Sequence, residues 1–271
     1  MSLVKIKILL KTIPLALAVL LLKLFVLSQF NIGELSISAL IEISDLSVVF
    51  TGAFFVMALM LTGTMTDFKE SEKIPGEISS NFEAIQDWSI LAFRAPRSGS
   101  SELSKEPLNK TYVHNTIKEV TEGVIAWFKT PNKDSKVVFS LLRKLNGLAY
   151  YFAERGADKE SIKGIQENTN AMRKHISRAY SISKTSFLSS AYVLLNGILT
   201  FILILLSVTK FKTPMAEIMA TFILAFIFIY LYHLIIGLDD PFMDSSGQTD
   251  VELRTLEKFK ERLGDDFMHN S

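Results

Sequence analysis

The chain has 271 residues, a formal net charge of +1, 49% hydrophobic side chains and no cysteine. A balance so close to neutral offers no bulk electrostatic case for nucleic acid. Without cysteine there is no disulfide framework, no thiolate metal site and no thiol nucleophile. The apolar residues concentrate in four blocks, two towards each end, around a polar middle. That distribution is expected of a membrane protein rather than a soluble domain.

The first block runs from about Ile8 to Leu27. Lys5, Lys7 and Lys11 precede it as in a signal peptide, but the run is long and SQFNIGEL offers no small-residue cleavage site, so a retained span is expected. Pro14 is tolerable inside a membrane helix whose neighbours satisfy the freed carbonyl. Lys11 and Lys23 lie near its two ends and are expected to snorkel towards the headgroups rather than to serve an ion pathway. Residues 28–46 contain no Lys or Arg but include Glu34, Glu42 and Asp45. On a helix Glu42 and Asp45 share a face. They either draw cations to a pore mouth or, as solvated charges, mark where the membrane ends.

The second block is the stretch Ser47 to Glu72, SVVFTGAFFVMALMLTGTMTDFKESE, which passes from apolar to charged without a stop signal. About 20 apolar residues cross the hydrocarbon layer as a helix. A span that lines a core or a pore and continues into the cytoplasm is expected here.

Residues 67–185 read as a cytoplasmic region of four helical segments. Ile74, Ile78, Phe82, Ile85 and Trp88 form the first apolar stripe, with Pro75 expected to kink or restart its helix. RAPRSGSSELSKEPLNK has the composition of an exposed loop. Val113, Ile117, Val120, Val124 and Trp127 form a second stripe, ended by TPNKD. Val138, Leu141, Leu142, Leu145 and Leu148 form a third, ended near Gly156, and Ile162, Ile165, Met172, Ile176 and Tyr180 a fourth. Stripes of this kind are bundle core, not a cofactor box.

Phe187 to Val208 and Met215 to Leu238 are the third and fourth blocks. The short TKFKTP between them makes an antiparallel hairpin, in which Ser189 and Asn196 are expected to hydrogen-bond across helices. The tail beyond Leu238 is acidic. Lys5 and Lys7, the Lys- and Arg-free first connection, and Lys69 and Lys73 after the second span put both termini and the middle region in the cytoplasm. Lys210 and Lys212 run against that rule.

No enzyme constellation is visible, and neither a cofactor nor a metal is expected. His114, His175, His233 and His269 are scattered, without metal-ligand spacing. There is no phosphate loop, no nucleophile elbow, and no basic patch with interleaved aromatics for nucleic acid. His233, within the fourth block, serves either a packing hydrogen bond or a proton relay.

Three motifs carry a resemblance over most of the chain. After the fourth block comes Asp239-Asp240-Pro241-Phe242, after the second comes FKESEK at Phe68 to Lys73, and before the third comes IQENTNAMRKHISRAYSISKTSF. With the two-plus-two arrangement of spans, these are similar to the bestrophin and bestrophin-like membrane proteins. That family ends its last span in an acidic-Asp/Asn-Pro-Phe signature and follows its second with aromatic-x-Glu-Ala-Arg. Phe68 and Glu70 match the latter. Ser71 and Glu72 replace Ala and Arg, with Lys73 supplying a basic group one place late. Arg178 matches the third segment, whose prolines are absent.

The resemblance implies an all-α membrane protein with four transmembrane helices and a cytoplasmic helical bundle. Its parts are an N-terminal pair (1–66), the helical region (67–185), a C-terminal hairpin (186–238) and an acidic tail (239–271). It also implies a homopentamer whose second spans line a central pathway for inorganic ions, chloride among them, through the lipid bilayer of a prokaryotic inner membrane. Matching on Glu70 places Thr51, Phe55 and Leu59 at the family's hydrophobic neck. Their spacing puts them on one helix face, which otherwise meets lipid or a neighbouring helix. A ring of such side chains gates by dewetting. The turn at Pro241 is expected to be architectural, with Phe242 anchored on the bundle and Asp239 and Asp240 capping a helix or pairing with a cation. The sparse MDSSGQTD that follows does not imply the calcium clasp of animal members. The alternative to a channel is a non-conducting scaffold that docks a cytoplasmic partner.

Overall fold

The structure is a computed structural model, and it describes residues 3–30, 43–96, 106–184, 189–209, 211, 213–239, 241–242 and 251–269. The described residues form helices α1 (Leu3–Phe30), α2 (Ile43–Arg94), α3 (Lys110–Lys129), α4 (Ser135–Glu154), α5 (Lys159–Lys184), α6 (Ser189–Val208), α7 (Pro214–Asp239) and α8 (Arg254–His269). They divide into two compact units, Met1–Phe68 with Ser186–Asp239, and Lys69–Thr185 with Asp240–Ser271. Among the described residues, α2, α6 and α7 are long and apolar enough to cross a membrane. Glu34, Glu42 and the side chains of Asp45 and Ser189 lie outside the described residues.

In the first unit α1 packs on α7 and α6, and α6 on α7. Phe50, Met57 and Met60 of α2 join Leu195, Ile202, Leu206, Phe228 and Ile229 in its core. Polar contacts also tie its helices together. Tyr232 donates to Asn196 Oδ1 at 2.7 Å, the cross-helix bond expected of that asparagine. Lys23 departs from expectation: instead of snorkelling it is 1% exposed. Its Nζ donates to the Thr209 carbonyl at 2.8 Å and to Thr221 Oγ1 at 3.0 Å. It also lies 3.4 Å from the Glu217 carboxylate and 4.5 Å from the Phe211 ring centroid. Carbonyl, hydroxyl, carboxylate and ring together replace the water that an ammonium would otherwise seek. His233 Nδ1 donates to the Ile229 carbonyl of its own helix at 2.9 Å, a packing bond.

The second unit is a helical bundle whose core contains the apolar stripes. Ile74, Ile78, Phe82 and Ile85 are buried with Val113, Ile117, Val120, Val124, Leu142, Leu145, Ile165, Met172 and Ile176. Pro75 neither kinks α2 to an end nor restarts it, since one helix runs from Ile43 to Arg94. The ring costs one backbone bond, which a helix with so many buried side chains can lose. Helix starts follow local chemistry. Asn109 accepts from the Tyr112 amide at 3.0 Å, and Asp134 from the Lys136 amide at 2.8 Å. Helix α4 ends at Glu154, two residues before Gly156, whose φ of 71° lies where side chains with a Cβ are strained. Gly164 is required for a different reason. A Cβ there would stand 2.4 Å from the Trp88 indole, so α5 meets α2 on bare backbone.

The acidic tail is not a free extension. Leu256, Phe259 and Leu263 of α8 are buried in the bundle, and the Phe259 ring stacks on Phe82 at 5.5 Å.

Candidate functional site

Within its apolar stretch α2 has two unlike faces. Phe50, Met57 and Met60 are buried, whereas Phe55 is 61% and Leu59 57% exposed, with Thr51 exposed beside them. The expected constriction residues therefore share the side of α2 that the rest of this chain leaves uncovered. Thr62, Gly63 and Thr66 extend it. The threonine hydroxyls on this face donate to their own helix: Thr51 to Ser47 O at 2.8 Å, Thr62 to Ala58 O at 2.9 Å and Thr66 to Thr62 O at 2.9 Å. Their protons are spent internally, and the oxygen lone pairs remain outward.

Of the three residues in the motif after this span, Phe68 is half-buried and Lys73 is exposed. Glu70 accepts a two-pronged contact from Arg178 of α5, Nε to Oε1 at 2.8 Å and Nη2 to Oε2 at 2.6 Å. This fork geometry adds orientation to charge. The guanidinium hydrogen bonds hold the Glu70 carboxyl below its ordinary range. Two turns along α2, Glu77 lies 2.7 Å from His175. A cavity of about 850 Å³ opens there, with Glu72, Lys73 and Glu252 also on its wall. Among the described residues no group of three acidic or histidine side chains could hold a metal.

The signature turn divides between the units. Asp239 closes α7 and accepts from the Tyr192 hydroxyl, while Asp240 lies outside the described residues. Pro241 and Phe242 are buried, the Phe242 ring 5.6 Å from that of Phe128. Sequence reasoning missed the residue that fixes this turn. Lys133, 2% exposed, donates to the carbonyls of Phe242 and Thr130, each at 3.2 Å, over the rings of Phe242 and Trp127. Its only trace in the sequence is a lysine in the loop after a tryptophan, TPNKD, which reads as solvated polarity.

No protein-family model matches this chain, and no curated protein is similar to it in sequence. Solved structures are similar to it in fold. A crystal structure described as a membrane protein superposes with a TM-score of 0.67 at 10% identity, covering 98% of this chain and 99% of that one. A bacterial bestrophin homologue from Klebsiella pneumoniae, in a point-mutant form, gives 0.67 at 11% identity over 97% and 99% of the two chains. A second mutant of that homologue gives 0.67 at 10% identity over 97% and 98%. The agreement runs through both units, so this chain adopts the bestrophin fold over nearly its whole length.

Proposed function

We propose that this protein is a distant bestrophin-type ion channel, an oligomer that passes inorganic ions passively along an axis lined by α2. The observation that carries this reading is the uncovered face of α2, where Thr51, Phe55 and Leu59 follow one another at helical spacing opposite a buried face. An apolar ring flanked by hydroxyl oxygens is a barrier that wets and dewets. Hydroxyls that donate to their own helix offer acceptors to the pathway, an arrangement that suits cations better than the chloride suggested by the sequence resemblance.

Planar bilayer recording from the purified oligomer tests this. Currents are expected, with a conductance increased several-fold by Phe55→Ala as the narrowest apolar ring is removed, and with reversal potentials in asymmetric salt on the cation side. Silence across voltages and salts, from protein verified as oligomeric, would sink the channel reading. Silence together with a stably co-purifying cytoplasmic protein would point to the scaffold instead.

A further inference from the structure

Helix α5 carries a second feature, a groove of about 790 Å³ lined by Asn170, Arg173, Lys174, Ser177, Arg178 and Ser181. These positions recur at intervals of three and four and so fall on one side of the helix. All six side chains carry N–H or O–H donors, and none is a carboxylate. Arg178 is oriented by its fork on Glu70. Arg173 is half-buried, and its Nε is shielded from solvent without a hydrogen-bond partner. Among the described residues neither Arg173 nor Lys174 has an acidic partner, and His175 between them and Ile176 pairs with Glu77. Glu70 thus offsets one of three cations at the groove and leaves two unmatched.

The shielded Nε of Arg173 is out of a ligand's reach, so recognition here falls to the outer guanidinium N–H groups and the Lys174 ammonium. The complementary ligand is anionic and rich in acceptor oxygens, because guanidinium and ammonium donors line one open side of α5 with no carboxylate among them. We propose that this groove binds a phosphate-type oxyanion, supplied either by a soluble phosphate compound or by the headgroup of an anionic lipid. The assignment stands apart from ion conduction and is tested by binding alone.

The full chain, purified in neutral detergent, is titrated with sodium pyrophosphate at ionic strength held constant with sodium chloride, and its unfolding temperature is followed. In parallel, native mass spectrometry compares retention of phosphatidylglycerol with phosphatidylcholine. A saturable rise in unfolding temperature identifies a soluble phosphate. Selective retention of phosphatidylglycerol without that rise identifies a lipid headgroup. In either case Arg173→Gln with Lys174→Gln should weaken the apparent affinity at least tenfold. Should the double variant not run as a monodisperse species, Lys174→Glu at its exposed position carries the test and should abolish the response. Neither ligand binding, or binding that is equal in the variants, would overturn the proposal. So would a zero-length cross-link from Lys174 to a carboxylate of a second copy, which would show the groove already filled by protein.

Discussion

The buried Lys23 illustrates how much of this molecule depends on single side chains. Lys23→Met should lower stability by about 3–5 kcal/mol, because it strands Glu217, 14% exposed, without its cation. Denaturant unfolding in mixed micelles checks this, and Lys23→Met with Glu217→Leu should recover most of the loss, since then neither charge is buried alone. The partners of Lys23 stand 186 and 198 residues along the chain. A lysine near the end of a span reads locally as snorkelling, so only the tertiary fold could show the difference. Glu70 gives a pH dependence of known sign. Its folded pKa is depressed by Arg178, so the stabilisation it contributes is present above the ordinary Glu value of 4.5 and is lost as pH falls through the lower, folded value. The cost of Arg178→Gln, measured by unfolding, should therefore be visible at pH 7 and vanish in strong acid. The pair is exposed, and the effect should be small.

Among the helices, α8 offers the cleanest contrast between kinds of contact. It is tied to its neighbours by Lys129–Glu257 at 2.7 Å and Lys260–Glu122 at 3.0 Å, both exposed, and by the burial of Leu256, Phe259 and Leu263. Phe259→Ala should cost about 3–5 kcal/mol and Glu257→Ala less than about 1, read from the same unfolding curves. If the two were equal, the apolar face would not be what seats the helix. The apolar periods of α2 to α5 were legible in the sequence because each stripe recurs over three turns or more. The face of α8, from Leu253 at its start through Leu256, Phe259 and Leu263, recurs in the same way, but it is set among charges, and its acidity hid it. Pro75 misled for the opposite reason. Its local preference to end a helix is outweighed by the burial of Ile74, Ile78, Phe82 and Ile85 on either side. The candidate pore face was legible only in part. Spacing put Thr51, Phe55 and Leu59 on one face, but which way that face looks depends on Phe50, Met57 and Met60 finding partners in α6 and α7.

For the whole molecule, the channel reading requires several copies, and native mass spectrometry in detergent should give five per particle. A monomer at all detergent and lipid conditions would remove the axis on which conduction depends. Each unit is assembled from two separated stretches of chain, and the four stretches alternate along the sequence. This interleaving has a consequence for biosynthesis. The amide backbone of residues up to Phe68 leaves the ribosome well before Ser186, and at roughly 5–20 residues per second the interval is on the order of ten seconds. Throughout it Lys23 has none of the acceptors that later surround it, because Thr209, Glu217 and Thr221 have not been made. Until then its ammonium needs water or another polar partner, which a lysine near a helix end can reach by snorkelling. The polar enclosure of Lys23 is therefore completed only once the α6–α7 hairpin has been made.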